Sequence, residues 1–103
     1  MKFGQHNDRL SVEIERPEET QLADFLQGDI QGDASIAREL LDRLQDIAAG
    51  YLPAYEFRGN AHEVMIDADG VKIVLTDDMK NAPSELTLEA FQAALQAWLQ
   101  HIR

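Results

Sequence analysis

Tyr55-Glu56-Phe57-Arg58-Gly59-Asn60-Ala61-His62-Glu63-Val64-Met65-Ile66-Asp67-Ala68-Asp69-Gly70-Val71-Lys72-Ile73-Val74-Leu75 holds three runs of strand character divided by two short reversals. Tyr55 and Phe57 alternate with Glu56 and Arg58, the period of a half-buried strand. Gly59-Asn60 and Asp69-Gly70 are two-residue hairpin signals. The first turn sets Tyr55 opposite Val64 and Phe57 opposite His62. The second sets Ile66 opposite Ile73 and Val64 opposite Leu75. Both send Val64 and Ile66 to one apolar face, which a one-residue slip would invert. The other face collects Glu56, Arg58, Glu63, Met65, Asp67, Lys72, Val74 and Thr76. On it Asp67 is expected across from Lys72, Met65 across from Val74, and Glu56 unfavourably across from Glu63.

Outward from this meander, Leu10, Val12 and Ile14 alternate with Ser11, Glu13 and Glu15, and Asn7-Asp8 is a turn candidate. A hairpin there pairs Phe3 with Val12 and Met1 with Ile14. Pro17 and the acidic pair Glu18-Glu19 suit the first turn of a helix. Leu22, Phe25 and Leu26 continue it, and Gly28 is its expected stop. Residues 27–33 repeat Gln-Gly-Asp and read as a loop, with Asp29 solvated and Asp33 or Ser35 capping the second helix. That helix carries Ile36, Leu40, Leu41, Leu44, Ile47 and Ala48 on one stripe and ends at Gly50, before Pro53. Residues 76–85 read as a polar connection. Thr87 is an N-cap, with Leu86 and Phe91 in hydrophobic-staple positions. The last helix presents Phe91, Leu95, Trp98, Leu99 and Ile102, and Ala90, Ala93, Ala94 and Ala97 let it lie close to a sheet. The order ββααβββα predicts a single α+β domain over residues 1–103. Its antiparallel sheet of about five strands is covered by helices on one face.

The chain has 103 residues, nine Lys+Arg against nineteen Asp+Glu, a net charge of −10 and no cysteine. Residues 1–50 carry −6 and residues 51–103 carry −4, so the acidity is a property of the whole surface and not of a tail. Such a charge repels a phosphate backbone, which excludes a nucleic-acid partner. No apolar run approaches the roughly 18–20 residues of a membrane span. The first six residues turn polar at once, as expected of a cytoplasmic protein. The spacings of His6, His62 and His101 fit no metal site. Asp67-Ala68-Asp69-Gly70 is followed by a strand instead of the further ligands of a calcium loop. Asp29 and Asp33 approach Asp77 and Asp78 through nothing in the sequence. No nucleophile elbow and no phosphate-binding glycine loop occur. The expectation is a binding protein without metal or cofactor, not an enzyme. Trp98 belongs to the core stripe, and Tyr51 is a surface aromatic.

The stretch Gly59–Ile73 resembles the Gly-x-His-Glu, short strand, Asp-Gly, short strand pattern of the YacL-like family of small acidic bacterial proteins. Leu86-Thr87-Leu88-Glu89-Ala90-Phe91 through Trp98 resembles that family's closing helix. Immunity proteins that neutralise contact-dependent growth-inhibition toxins end similarly. The two stretches cover about a third of the chain, and the alanine before Asp69-Gly70 departs from the pattern. The resemblance implies a bacterial, cytoplasmic protein without an assigned activity. The first functional expectation is an acidic protein-binding module, of the kind that occludes a basic toxin or nuclease. Glu63, Asp67, Asp69, Asp77 and Asp78 would supply the charge, and Met65 and Val74 an apolar centre. The alternatives are a homodimeric secretion-type chaperone and a small enzyme using His62.

Overall fold

In the computed structural model, which describes residues 1–6, 9–13, 15, 19–76 and 84–102, the meander forms β3 (Ala54–Arg58), β4 (His62–Asp67) and β5 (Gly70–Leu75). A fourth strand, β6 (Ser84–Leu86), overlaps the end of the segment expected to be a plain connection and takes in Leu86, and the sheet runs β3-β4-β5-β6, antiparallel throughout. Val64, Ile66, Val71 and Ile73 are fully buried on one face, as both turns require. Each contributes about 1.5–3 kcal/mol of apolar burial.

The register differs from the expected one by two residues in both hairpins. Val64 faces Phe57 on one side and Ile73 on the other, and Tyr55 faces Ile66. Two is the period of a strand, so the slip leaves every side chain on its expected face while changing every partner. Glu63 now stands across from Arg58 and forms an ion pair, which removes the expected Glu56–Glu63 repulsion. Asp67 faces Gly70 instead of Lys72, and Met65 faces Lys72 instead of Val74. The second reversal is centred on Ala68-Asp69 because the Asp67 carboxylate accepts the amides of Asp69 and Gly70, at 2.8 and 3.2 Å.

The N-terminal strands β1 (Lys2–His6) and β2 (Arg9–Glu13) pair with Phe3 opposite Val12, as expected, but form a separate two-stranded sheet. The Asn7-Asp8 tip, the Met1–Ile14 pairing and the placement of Pro17 and Glu18 lie outside the described residues. α1 (Thr20–Phe25) does not stop at Gly28. It widens into a π-helical turn, Leu26–Ile30, and buries Leu22, Phe25, Leu26 and Ile30. Asp33 then caps α2 (Ala34–Ala48) through the Ser35 amide, and Gly50, at φ 83°, comes just past the helix end. Thr87 Oγ1 accepts the Ala90 amide at the start of α3 (Leu88–Ile102). Trp98 is buried, as expected, and its Nε1 donates to the Gln31 carbonyl at 2.9 Å. Phe3 stands edge-on to Trp98, and His101 Nε2 donates to the Gly4 carbonyl, so the hairpin is held against α3. The three helices and the inner face of the four-stranded sheet close one hydrophobic core. No helix among the described residues is long and apolar enough to cross a membrane.

Candidate functional site

The outer face of the four-stranded sheet is set by the same alternation that fills the core. Three cross-strand rows arise from the register. Arg58, Glu63 and Val74 form one. Glu56, Met65, Lys72 and Glu85 form the second. Ala54, Asp67 and Gly70, beside the Ala68-Asp69 turn, form the third. Met65, Val74 and Glu63 are half-buried, while Glu56, Asp67, Lys72 and Glu85 are exposed. The packing of the core on the inner face leaves these side chains outward.

Of the seven residues expected to bind a partner, Glu63, Met65, Asp67 and Val74 lie on this face and Asp69 lies at its rim. Asp77 and Asp78 lie outside the described residues. The carboxylates are not equivalent. Glu63 is engaged by Arg58, and Asp67 commits one oxygen to its own turn. Met65 and Val74 are diagonal neighbours, not a facing pair, so they form an apolar strip broken by Lys72 and Glu63. Glu56 and Glu85 complete the acidic set. Glu85 was beyond sequence reasoning, because a three-residue strand has too little alternation to detect. A concavity of about 510 Å³ opens here, lined by Ala54, Glu56, Met65, Asp67, Lys72 and Glu85 among others. Ala54, with a methyl group only, and Gly70 are part of its lining.

His62 and Asp29 correct two expectations. Asp29 is not a solvated loop charge, and His62 does not face Phe57 at a sheet edge. Both are buried, 33 residues apart in sequence, and bonded. The π-helical turn points the Asp29 carboxylate at the start of β4. Its Oδ2 accepts the amides of Ala61 and His62, at 3.1 and 2.9 Å, and its Oδ1 meets His62 Nδ1 at 3.0 Å. A carboxylate only accepts, so Nδ1 donates. Nε2 is buried without a hydrogen-bond partner among the described residues. The imidazole is thus oriented as a general base would be, but neither the concavity on the outer face nor a second one beside α3 is lined by it. Gly59 is required beside this pair, since a Cβ there would stand 2.1 Å from Asp29 Oδ2. The capture of the Ala61 and His62 amides by Asp29 also replaces the expected two-residue turn at Gly59-Asn60 with a longer loop.

The second concavity, about 560 Å³, runs between the N-terminal hairpin and α3, past Met1, Phe3, Leu22, Leu86 and the alanines of α3. Ala90, Ala93 and Ala97 are exposed there, so of the four alanines only Ala94 serves close packing. Tyr51 is 85% exposed, as expected. Asp33 has its carboxyl held below the ordinary range by the Ser35 hydroxyl and amide. No group of three or more metal-ligating side chains assembles among the described residues.

Fold and surface together define a small acidic α+β domain whose four-stranded sheet keeps one face for its own core and offers the other. Comparison with family models, curated proteins and solved structures finds no match to this chain.

Proposed function

We propose that this chain is a binding module, not an enzyme, that presents the outer face of its four-stranded sheet to a basic protein. The single observation that carries the reading is the composition of that face. Glu56, Glu63, Asp67 and Glu85 outnumber Arg58 and Lys72 around the half-buried Met65 and Val74, on a chain of net charge −10. A surface of this kind steers a cationic partner and gives it an apolar centre to close on. The resemblance to the YacL-like family and to immunity proteins supports a specific form of the reading. The module sits in a bacterial cytoplasm and occludes the lysines and arginines that a basic toxin or nuclease uses on nucleic acid.

The test is titration of the chain with basic nuclease-type toxin domains at about 0.1 M and about 1 M salt, between which the screening length falls from about 10 to about 3 Å. Binding weakens about tenfold or more at the higher salt and is lost in Glu56→Lys/Glu85→Lys. Affinity that ignores salt, or binding that survives those reversals and disappears with Glu39→Lys/Asp42→Lys on α2, overturns the reading.

The groove beside α3 favours one other reading, a homodimeric secretion-type chaperone that holds an apolar segment against Met1, Phe3, Leu22 and Leu86. A monomeric mass in solution removes it.

A further inference from the structure

Independently of that reading, we infer that the free edge of β3 is a self-association edge, at which a second copy of this chain adds its own β3 antiparallel to the first. The ladder fixes which backbone groups lie on that edge. Bonded and non-bonded pairs alternate along an antiparallel pair. Gly59 donates to the His62 carbonyl, one step beyond the Arg58–Glu63 pair, and on the other side of β4 Thr76 donates to the Ala61 carbonyl. Phe57 and Tyr55 therefore exchange bonds with Val64 and Ile66, and the amides and carbonyls of Ala54, Glu56 and Arg58 point away from β4. Among the described residues no hydrogen bond engages these groups, and all three residues are exposed. The two edges of the sheet differ. β6 is three residues long and offers little to a further strand, whereas β3 carries five residues without proline, lysine or bulge.

The charges on the edge choose the occupant and the register. With Glu56 opposite Arg58 of the second copy, and Arg58 opposite its Glu56, both charged pairs along the edge are of opposite sign. Sliding one copy by two residues sets Glu56 against Glu56 or Arg58 against Arg58, so like charges reject the neighbouring registers. The pairing closes on a two-fold axis at Phe57, which meets its own counterpart at a closely spaced, non-bonded position. Phe57 and Tyr55 lie on the core face yet are only half-buried, while Val64 and Ile66 across from them on β4 are fully buried. A second Phe57 completes that cover with an aromatic pair. Arg58 keeps its bond to Glu63, since a guanidinium has several donors and this side chain is 75% exposed. Glu56 and Arg58 share the outer face, so the two sheets join with their outer faces on one side and their cores on the other.

The net charge of −10 on each copy opposes association at low salt, so the test is made at about 0.15 M, where the screening length is about 8 Å. Sedimentation equilibrium of the full chain from about 10 μM to about 1 mM, the range of a small interface, is expected to pass from monomer to dimer. Amide hydrogen exchange over the same range should slow at Glu56 and Arg58 and stay unchanged at Tyr55 and Phe57, whose amides β4 already holds. Glu56→Arg alone and Arg58→Glu alone each weaken association about tenfold, because like charges then face each other twice. Mixed in equal amounts, the two variants recover it as a heterodimer, because every facing charge is again matched by its opposite. Ala93→Glu, in the groove beside α3, leaves the dimer unchanged. A chain that stays monomeric throughout, a mixture no tighter than either variant alone, or a dimer lost in Ala93→Glu and kept in Glu56→Arg overturns the edge pairing. None of these results touches the outer-face reading, whose own test is the salt-dependent binding of a basic protein.

Discussion

Replacing Asp29 by alanine tests whether the buried carboxylate is an anchor for backbone or half of an ion pair. The side chain accepts three hydrogen bonds, two from the backbone amides of Ala61 and His62 and one from His62 Nδ1. The His62 donors are buried, and the Ala61 amide is partly so. Leaving a buried donor unsatisfied costs about 1–3 kcal/mol, so Asp29→Ala should lose about 3–5 kcal/mol. That is about a fifth or more of the stability of an ordinary domain, and amounts to a fall of roughly 15–30 °C in Tm. His62→Leu breaks only one of the three bonds and also removes the unpartnered Nε2, so it should cost about 1–2 kcal/mol. Urea unfolding followed by Trp98 fluorescence reads both, because the indole is bonded to Gln31 directly after the π-helical turn. Midpoints should move with the slope unchanged. If His62→Leu proves as costly as Asp29→Ala, the pair acts through its side chains alone and the anchoring of the 59–62 loop is wrong.

Gly59→Ala should destabilise by about 2–3 kcal/mol in the same assay, since its methyl overlaps the Asp29 carboxylate. Gly50→Ala, which meets open space but keeps φ at 83°, should cost only about 1 kcal/mol. Trp98→Phe opens space against Phe3 and leaves the Gln31 carbonyl unmatched, for an expected loss of about 2–3 kcal/mol by circular dichroism. The Asp33 carboxyl is depressed in the folded chain, so its capping of α2 is present above the ordinary carboxylate pKa and lost as pH falls through the depressed value. Helicity of Asp33→Asn, compared with the parent across acid pH, should show a gap at neutral pH that closes in that window. A constant gap would remove the charge from the cap.

The class of fold was legible because its cues are local. The alternation of Val64, Met65 and Ile66 and of Val71, Lys72 and Ile73, with turn residues between, predicts one apolar face. That prediction survives a register error of two, since only an odd slip inverts a strand. The caps at Asp33 and Thr87 lie within three residues of the amides they satisfy, at Ser35 and Ala90, and the stripes of α2 and α3 repeat at the helical period. The candidate site was half legible for the same reason. Glu63, Met65, Asp67 and Val74 were assigned to the outer face by parity, but which of them carries an unengaged charge depends on partners across the sheet.

What the amino-acid order determined alone is therefore everything that repeats or closes within a few residues: strand faces, helix stripes, caps, and the net acidity of the surface. Tertiary structure alone decided the bond from Asp29 to His62, the pairing of the strands residue by residue, the short β6 and the concavity over Ala54. Each of these joins groups remote in sequence, and no local preference encodes which distant donor a carboxylate will meet. Such a pairing forms only when burial of the core brings Leu26–Ile30 against the start of β4 and leaves the amides there in need of an acceptor.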